Sequence, residues 1–103
     1  MYIAGPMTGV KNFNYDAFNA AAKDLRAQSF DVINPAEGFD GEQDLARTVY
    51  MRAAIENLLT CNTIVLLPDW ERSPGAIFEV GIASALGMSI LRYAPGKPPE
   101  ALL

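Results

Sequence analysis

The 103-residue chain contains no histidine, and Cys61 is its only cysteine. The absence of histidine excludes Ser-His-Asp and Cys-His catalysis and any imidazole ligand for zinc. A single cysteine excludes an internal disulfide and a cysteine metal cluster. Any chemistry must therefore use carboxylates, hydroxyls, amides and the eight lysine and arginine residues. We expect neither a metal nor a cofactor.

Long apolar runs are also missing, since none approaches the ~20 residues that a helix needs to cross a bilayer. Only 19% of the residues are charged and the net charge is −4, which argues against binding to a nucleic-acid polymer through its phosphates. The chain begins directly with the strand-like segment MYIAG, a pattern unlike a signal peptide. We therefore expect a cytoplasmic protein without a membrane partner. A small nucleotide needs only one local anion site and stays compatible with this charge.

Half of the residues are hydrophobic, which is enough for one compact domain over residues 1–103. Apolar runs and helical spacing predict the elements. Strands are predicted at residues 1–4, 30–33, 63–67 and 88–93, and helices at residues 14–28, 45–60 and 74–86, with residues 94–103 as a tail. Asn14 is the predicted cap of the first helix, and the third is predicted to start at Ser73-Pro74 and to end at Gly87. This βαβαβαβ order predicts an α/β protein with a small Rossmann- or flavodoxin-like three-layer fold. Its parallel sheet would have about four or five strands.

Open parallel sheets bind ligands beyond the carboxyl ends of their strands, where the strand order reverses. This rule brings three predicted loops to one edge of the sheet: residues 5–14, 34–44 and 68–74. We therefore expect the functional residues in or beside these loops.

The helix that follows Ser73 carries a single charge, Glu79, in its second turn. Gly75, Ala76 and Ala83 share a helix face with Glu79, so small side chains would leave a cavity before the carboxylate. The ordinary alternative is an exposed, solvated carboxylate. The remaining faces are apolar nearly all round, with Ile77, Phe78, Val80, Ile82 and Leu86. Because burying an unpartnered carboxylate costs several kcal/mol, we interpret Glu79 as part of a ligand site.

Four segments, in order and over nearly the whole chain, resemble the nucleoside 2-deoxyribosyltransferase-like superfamily, and within it the DUF4406 branch. They are YIAGPMTG, NPAE, CNTIVLLPDWERSPGA and EVGIASALG. The most diagnostic piece is the Ser-x-x-Gly-x-x-Glu-x-Gly spacing, which runs from Ser73 through Glu79 to Gly81. The small residue in its middle falls here at Gly75-Ala76.

The resemblance implies that Glu79 is a nucleophile that attacks the anomeric carbon of a 2-deoxyribose, expels the base and forms a glycosyl-enzyme. Water or a second base would then release the sugar. The expected substrate is a deoxynucleoside or deoxynucleotide, and the expected protein is an N-glycosidase or 2-deoxyribosyltransferase. The predicted substrate-binding residues are Tyr2, Gly5, Pro6, Met7, Ser73, Gly75 and Asp69.

The sequence departs from this pattern at Ala54 and Asn62, where the resemblance implies acidic residues. Asp69 and Glu71 in the adjacent loop are candidates to replace them. General acid–base help commonly contributes on the order of 10²–10⁴ in rate, so its loss would leave binding intact and slow the chemistry. The alternative function is therefore a catalytically impaired nucleotide-binding module that senses or sequesters its ligand. A third reading is an interaction protein whose apolar helices only form a dimer.

Several other residues beside the predicted loops have two readings. Arg52 and Arg72 are candidates to pair with a 5′-phosphate, or are ordinary solvated charges. Trp70 and Tyr50 are candidates to stack on a base or to cover an interface. The apolar residues of the second and third predicted helices favour a homodimer or larger homo-oligomer.

Overall fold

The computed structural model describes residues 1–7, 10–37 and 47–102. In these ranges a four-stranded sheet carries helices on both faces. The strands are β1 (Tyr2–Ala4), β2 (Thr63–Leu66), β3 (Ser89–Arg92) and β4 (Glu100–Ala101). The helices are α1 (Tyr15–Ala27), α2 (Arg47–Leu59) and α3 (Pro74–Ala85), and two 3₁₀ turns cover Lys11–Asn14 and Trp70–Arg72.

The sheet is mostly parallel and its strands lie in the order β1-β2-β3-β4. Tyr2 pairs with Ile64 and Ile64 with Ile90, both in parallel register, whereas Leu91 pairs with Ala101 in antiparallel register. The predicted α/β class with a Rossmann- or flavodoxin-like arrangement is confirmed. None of the helices in the described ranges is long and apolar enough to cross a membrane.

Alternate side chains of β1 and β2 build the two halves of the core, because successive strand residues point to opposite faces of a sheet. On one face, Ile3 and Val65 pack against α1. On the other face, Tyr2 and Ile64 pack in a cluster that includes buried residues of α2 and α3. The result is three layers, with α1 on one side of the sheet and the other two helices on the opposite side.

The predicted strand at residues 30–33 is reduced to a single bridge, in which Ile33 pairs with Tyr2. The Ile33 N–H donates to the Met1 carbonyl (2.8 Å) and its carbonyl accepts from the Ile3 N–H (3.2 Å). The pairing stops there because Pro35 has no N–H to donate. The Asn34 side chain also turns the chain away by accepting from the Ala36 N–H (3.0 Å).

The predicted tail is wrong in part, since Glu100–Ala101 adds an antiparallel edge strand to β3. The predicted cap of α1 is also wrong. Asn14 has a left-handed backbone (φ 60°) and its side chain makes no capping bond. It donates instead to the Pro6 carbonyl (2.9 Å), which ties the start of α1 to the loop after β1.

The start and end signals of α3 are confirmed. The Ser73 hydroxyl accepts from the Ala76 N–H (3.2 Å), Pro74 is the first helical residue, and Gly87 has the left-handed φ of 71° that ends the helix. The sheet does not cover all of the apolar faces of α3. Ile77 and Phe78 are about half exposed, at 49% and 57%.

Candidate functional site

A cavity of about 510 Å³ opens where the chain leaves β1 and β2. From β1 the chain passes through α1 to Ile33 on one side, and then through α2 to β2 on the other side. This is the point where the strand order reverses, and it is where such sheets bind ligands. The walls come from the loop after β1, from α1 and α2, and from the start of α3.

Gly5 brings the loop after β1 close to the end of β2. A Cβ added at Gly5 would lie 2.8 Å from the Leu67 Cβ, closer than real side chains approach. Glycine is therefore required here by space, and it lets Pro6 and Met7 turn directly into the cavity wall.

The first turn of α3 forms another wall with almost no side-chain volume. Ser73, Pro74, Gly75 and Ala76 all line the cavity. Facing Gly75 across the gap is α2, since a Cβ added at that glycine would lie 3.6 Å from the Met51 Sδ. Small residues at this helix start thus hold the space open in front of Glu79, as their spacing predicted.

Glu79 is buried in the second turn of α3, with only 7% of its surface exposed, and it lines the cavity. The Tyr2 hydroxyl of β1 donates to its Oε2 at 2.6 Å. Its other oxygen, Oε1, accepts no hydrogen bond from any residue in the described ranges. The hydrogen bond from Tyr2 fixes the orientation of the carboxylate and leaves its second oxygen able to contact a ligand.

Burial raises the pKa of the Glu79 carboxyl to about 7, and the hydrogen bond from Tyr2 opposes that rise. Burial also raises the pKa of Tyr2 well above its ordinary value, with the negative charge of Glu79 as the second cause. Tyr2 therefore keeps its proton and remains a donor. Near neutral pH the carboxyl of Glu79 is divided between its acid and its carboxylate form.

Five aromatic side chains of the described residues line the same cavity: Tyr2, Phe13, Tyr15, Phe18 and Tyr50. The Phe13 ring stands nearly perpendicular to two of the tyrosine rings, at 86° to Tyr15 and 84° to Tyr50, with 6.1 Å between centroids in each pair. Phe13 and Asn14 both have left-handed backbones, with φ of 53° and 60°. Such conformations cost on the order of 1–3 kcal/mol each in residues other than glycine and are concentrated at ligand sites.

The sequence model of DUF4406, described as a domain of unknown function, matches residues 1–92. The chain belongs to the DUF4406 family. The match covers β1 through β3 and includes every residue that lines the cavity. A search of curated proteins returned no match to the chain. The chemistry of this DUF4406 domain must therefore be argued from the cavity itself.

Most of the residues predicted for the site meet in this cavity of the DUF4406 domain. Glu79 lines it together with Tyr2, Gly5, Pro6, Met7, Ser73 and Gly75. Asp69 does not; it is exposed and has a left-handed backbone (φ 66°). Residues 8–9 of the first predicted loop and residues 38–44 of the second lie outside the described residues.

The residues for which the sequence left two interpretations differ in whether they line the cavity. Arg72 and Tyr50 line the cavity, whereas Arg52 does not. Trp70 is half-buried against the sheet cluster around Tyr2 and is not a cavity-lining residue. Ala54 lines the cavity of the DUF4406 domain, so the wall carries a methyl group where the resemblance implies an acid.

Sequence reasoning missed Phe13, Tyr15 and Asn57 as lining residues. Asn57 lies three positions after Ala54 and therefore shares its helix face, so helical spacing was a usable signal. Phe13 and Tyr15 carried no such signal. Their approach to the cavity depends on the backbone reversal at Phe13 and Asn14, and no glycine marks that reversal in the sequence.

Proposed function

We propose that this DUF4406 domain cleaves the bond between a base and a 2-deoxyribose, acting on a deoxynucleoside or deoxynucleotide. The observation that carries the proposal is a buried carboxylate, Glu79, that is held at one oxygen by Tyr2 and lines a cavity at the ligand edge of the sheet. The resemblance to nucleoside 2-deoxyribosyltransferases supports the same residue as the nucleophile.

The geometry is suited to displacement at an anomeric carbon. The Oε1 of Glu79 would attack the carbon while the Tyr2 hydroxyl keeps Oε2 fixed. The bond to the base then breaks and a glycosyl ester forms on Glu79. Water would release the sugar in a hydrolase, and a second base would release it in a transferase. A nearby carboxylate also stabilises the positive charge that develops on the sugar.

The nucleophile must be ionised, and its pKa of about 7 sets the pH range. We expect kcat/KM to rise with pH through about 7, because the reactive carboxylate replaces the acid form.

The test is incubation with a panel of the common deoxynucleosides and deoxynucleotides, followed by analysis for free base. Glu79→Gln keeps the shape of the side chain and should lower the rate on the order of 10³-fold or more. Glu56→Gln is the matched control, because Glu56 is exposed on α2 and does not line the cavity. Release of base at the parent rate by Glu79→Gln would refute the assignment.

A nucleotide-binding module with impaired catalysis is the second candidate. It is favoured by Ala54, since Glu79 is the one carboxylate among the described residues that line the cavity. Tight binding of a nucleotide without release of base would support it. Under this candidate, Ala54→Asp should restore measurable cleavage, and a variant that binds equally well without cleaving would contradict the explanation.

We also propose that the protein is a homodimer or a larger homo-oligomer. Of the six large apolar residues exposed in the described ranges, four lie on α2 and α3 and a fifth directly follows α3: Val49, Leu59, Ile77, Phe78 and Leu86. The two helices are in contact, so these side chains belong to neighbouring surfaces. A second copy would remove them from water.

A further inference from the structure

Three of the aromatic side chains that line the cavity, Phe13, Tyr15 and Tyr50, are arranged as a partial cage. The Phe13 ring lies 6.1 Å from the Tyr15 ring and 6.1 Å from the Tyr50 ring, and its plane is nearly perpendicular to each of them. Ring faces carry negative charge density, and rings set around a space in this way are the usual means by which proteins hold organic cations.

The charges of the cavity point to the same kind of ligand. Glu79 is the one acidic side chain that lines the cavity in the described part of the chain, and it is buried. Arg72 also lines the cavity, but its side chain is exposed and its charge is screened by water. A cation that enters would favour the ionised form of Glu79 and would offset the cost of burying that charge.

The wall formed by α2 matters for the leaving group. Tyr50 and Asn57 are its hydrogen-bond donors, whereas Met51, Ala53 and Ala54 line the cavity and have no proton to donate. A neutral base needs a proton as it departs, whereas a base that is already cationic leaves as a neutral molecule with the electrons of the broken bond. Ala54, at the position where the resemblance implies an acid, therefore presents a methyl group that suits a cationic leaving group.

We propose that the substrate of this site is an N-glycoside of a cationic heteroaromatic base, of the pyridinium or N7-alkylpurinium class. The inference rests on the proposed function and names its substrate class. The base ring would lie among Phe13, Tyr15 and Tyr50 while Glu79 faces the anomeric carbon.

The reaction balances without a further reactant. The Glu79 carboxylate forms a bond to the anomeric carbon, the carbon–nitrogen bond breaks, and its electron pair returns to the ring nitrogen and cancels the positive charge. Water then adds hydroxyl to the anomeric carbon and regenerates Glu79. With a cationic substrate, each turnover consumes one water molecule and releases the neutral base, the free sugar and one proton.

Binding is tested with 1-methylnicotinamide and nicotinamide, which differ by one methyl group and one positive charge and contain no glycosidic bond. We expect the cation to bind at least about tenfold more tightly, and calorimetry in buffers of different ionisation enthalpy to show proton release at pH 6.5. Glu79→Gln should abolish the preference and the proton release, and Phe13→Leu should weaken the preference. Phe78→Leu is the control, because Phe78 is exposed on α3 outside the cavity.

Calorimetry on the same variants also identifies the group that releases the proton. Among the described residues, the other charged or titratable ones that line the cavity are Tyr2 on β1, Tyr15 on α1, Tyr50 on α2 and Arg72 before α3. Proton release that persists in Glu79→Gln would contradict the role given to Glu79.

Cleavage is tested with 7-methyl-2′-deoxyguanosine and 2′-deoxyguanosine, each corrected for its uncatalysed rate. A higher kcat/KM for the methylated nucleoside, lost in Glu79→Gln, supports the inference. Equal binding of the two nicotinamides would overturn it, and Glu79-dependent cleavage of 2′-deoxyguanosine would then uphold the proposed function alone. Cation-selective binding without cleavage of either nucleoside would refute the proposed function and leave the cation preference supported.

Discussion

Two effects act in opposite directions on the ionisation of Glu79: its burial and its hydrogen bond from Tyr2. Removal from water favours the protonated acid, whereas the hydroxyl at 2.6 Å favours the carboxylate. The pKa of about 7 is the balance of these two effects, with desolvation the larger. A carboxylate that is fully hydrogen-bonded would be a poorer nucleophile, and one with no donor would remain protonated at neutral pH.

Removing the Tyr2 hydroxyl should therefore raise the pKa of Glu79 above 7. In Tyr2→Phe the ring remains in the core, and only the donor to Oε2 is lost. Carbon-detected NMR of the Glu79 carboxyl during a pH titration measures the change directly. Any activity of this variant should also shift to higher pH.

Tyr93→Phe provides a matched control, because the Tyr93 hydroxyl donates to an Asp24 carboxylate oxygen at 2.7 Å away from the cavity. The control should leave the titration of Glu79 unchanged. An unchanged or lowered pKa of Glu79 in Tyr2→Phe would show that Tyr2 does not stabilise the carboxylate.

The same carboxyl should make the folded protein less stable as the pH rises. Its pKa is about 7 in the folded state and 4.5 in its ordinary state, so the folded protein binds this proton more tightly than the unfolded chain. The resulting stability is complete below pH 4.5 and is lost as the pH rises through 7. Between pH 5 and pH 8 the free energy of unfolding should fall by about 2–3 kcal/mol from this group.

Urea unfolding at pH 5 and pH 8 tests this expectation. Glu79→Gln cannot ionise, so it should lose most of the pH dependence and exceed the parent in stability at pH 8. Glu56→Gln, which alters an exposed glutamate, should keep the parent's dependence. The absence of histidine helps the assignment, because no imidazole titrates in this range. An equal slope in the parent and in Glu79→Gln would exclude Glu79 as its source.

The end of β1 is the element whose geometry the cavity depends on most. Gly5 has no left-handed backbone, so alanine is compatible with its φ, and space alone excludes a side chain. Because the blocking Leu67 Cβ is attached directly to the backbone after β2, it cannot rotate away. We expect Gly5→Ala to lower the free energy of unfolding by about 1–3 kcal/mol and to weaken ligand binding.

Gly81→Ala is the matched control for this change, measured by the same urea unfolding. Gly81 lies in α3, and a Cβ added there meets nothing within 4 Å. Alanine at this position should stabilise the helix by roughly 0.5–1 kcal/mol. If the Gly5→Ala protein is as stable as the parent, the close approach of Gly5 to Leu67 does not require glycine.

Helix α3 shows how much of the structure could be predicted from its sequence. The Ser73-Pro74 start, the Gly87 end and the burial of Glu79 beside Ala76 and Ala83 all follow from local patterns and are confirmed. The exposure of Ile77 and Phe78 could not be predicted in this way, because spacing shows which residues share a face and not which face meets the sheet.

The short edge pairings could not be predicted for a related reason. Phe30–Ile33 has strand-forming residues and makes one bridge, whereas Glu100–Ala101 lacks them and forms β4. Strand formation over two to four residues depends on a neighbouring strand with free hydrogen-bonding groups, which is a tertiary property. The aromatic wall was missed for the same kind of reason, since it depends on the backbone of Phe13 and Asn14.

Helices α2 and α3 carry four of the large apolar side chains that are exposed in the described ranges. Phe78 and Leu59 are 57% and 58% exposed, so substitution there removes little core packing. The two helices also supply the cavity-lining residues Met51 and Gly75, so a second copy on this face would lie close to the site.

Phe78→Glu should therefore separate the proposed homodimer without unfolding the monomer. A carboxylate buried in the interface without a partner costs several kcal/mol, which is enough to shift a micromolar dimer to monomer. Sedimentation velocity should show a dimer for the parent and for Val10→Glu, which changes an exposed apolar residue away from α2 and α3. Circular dichroism should show the same helix content in all three proteins. A monomeric parent, or a Phe78→Glu protein that stays dimeric, would show that this face does not join two copies.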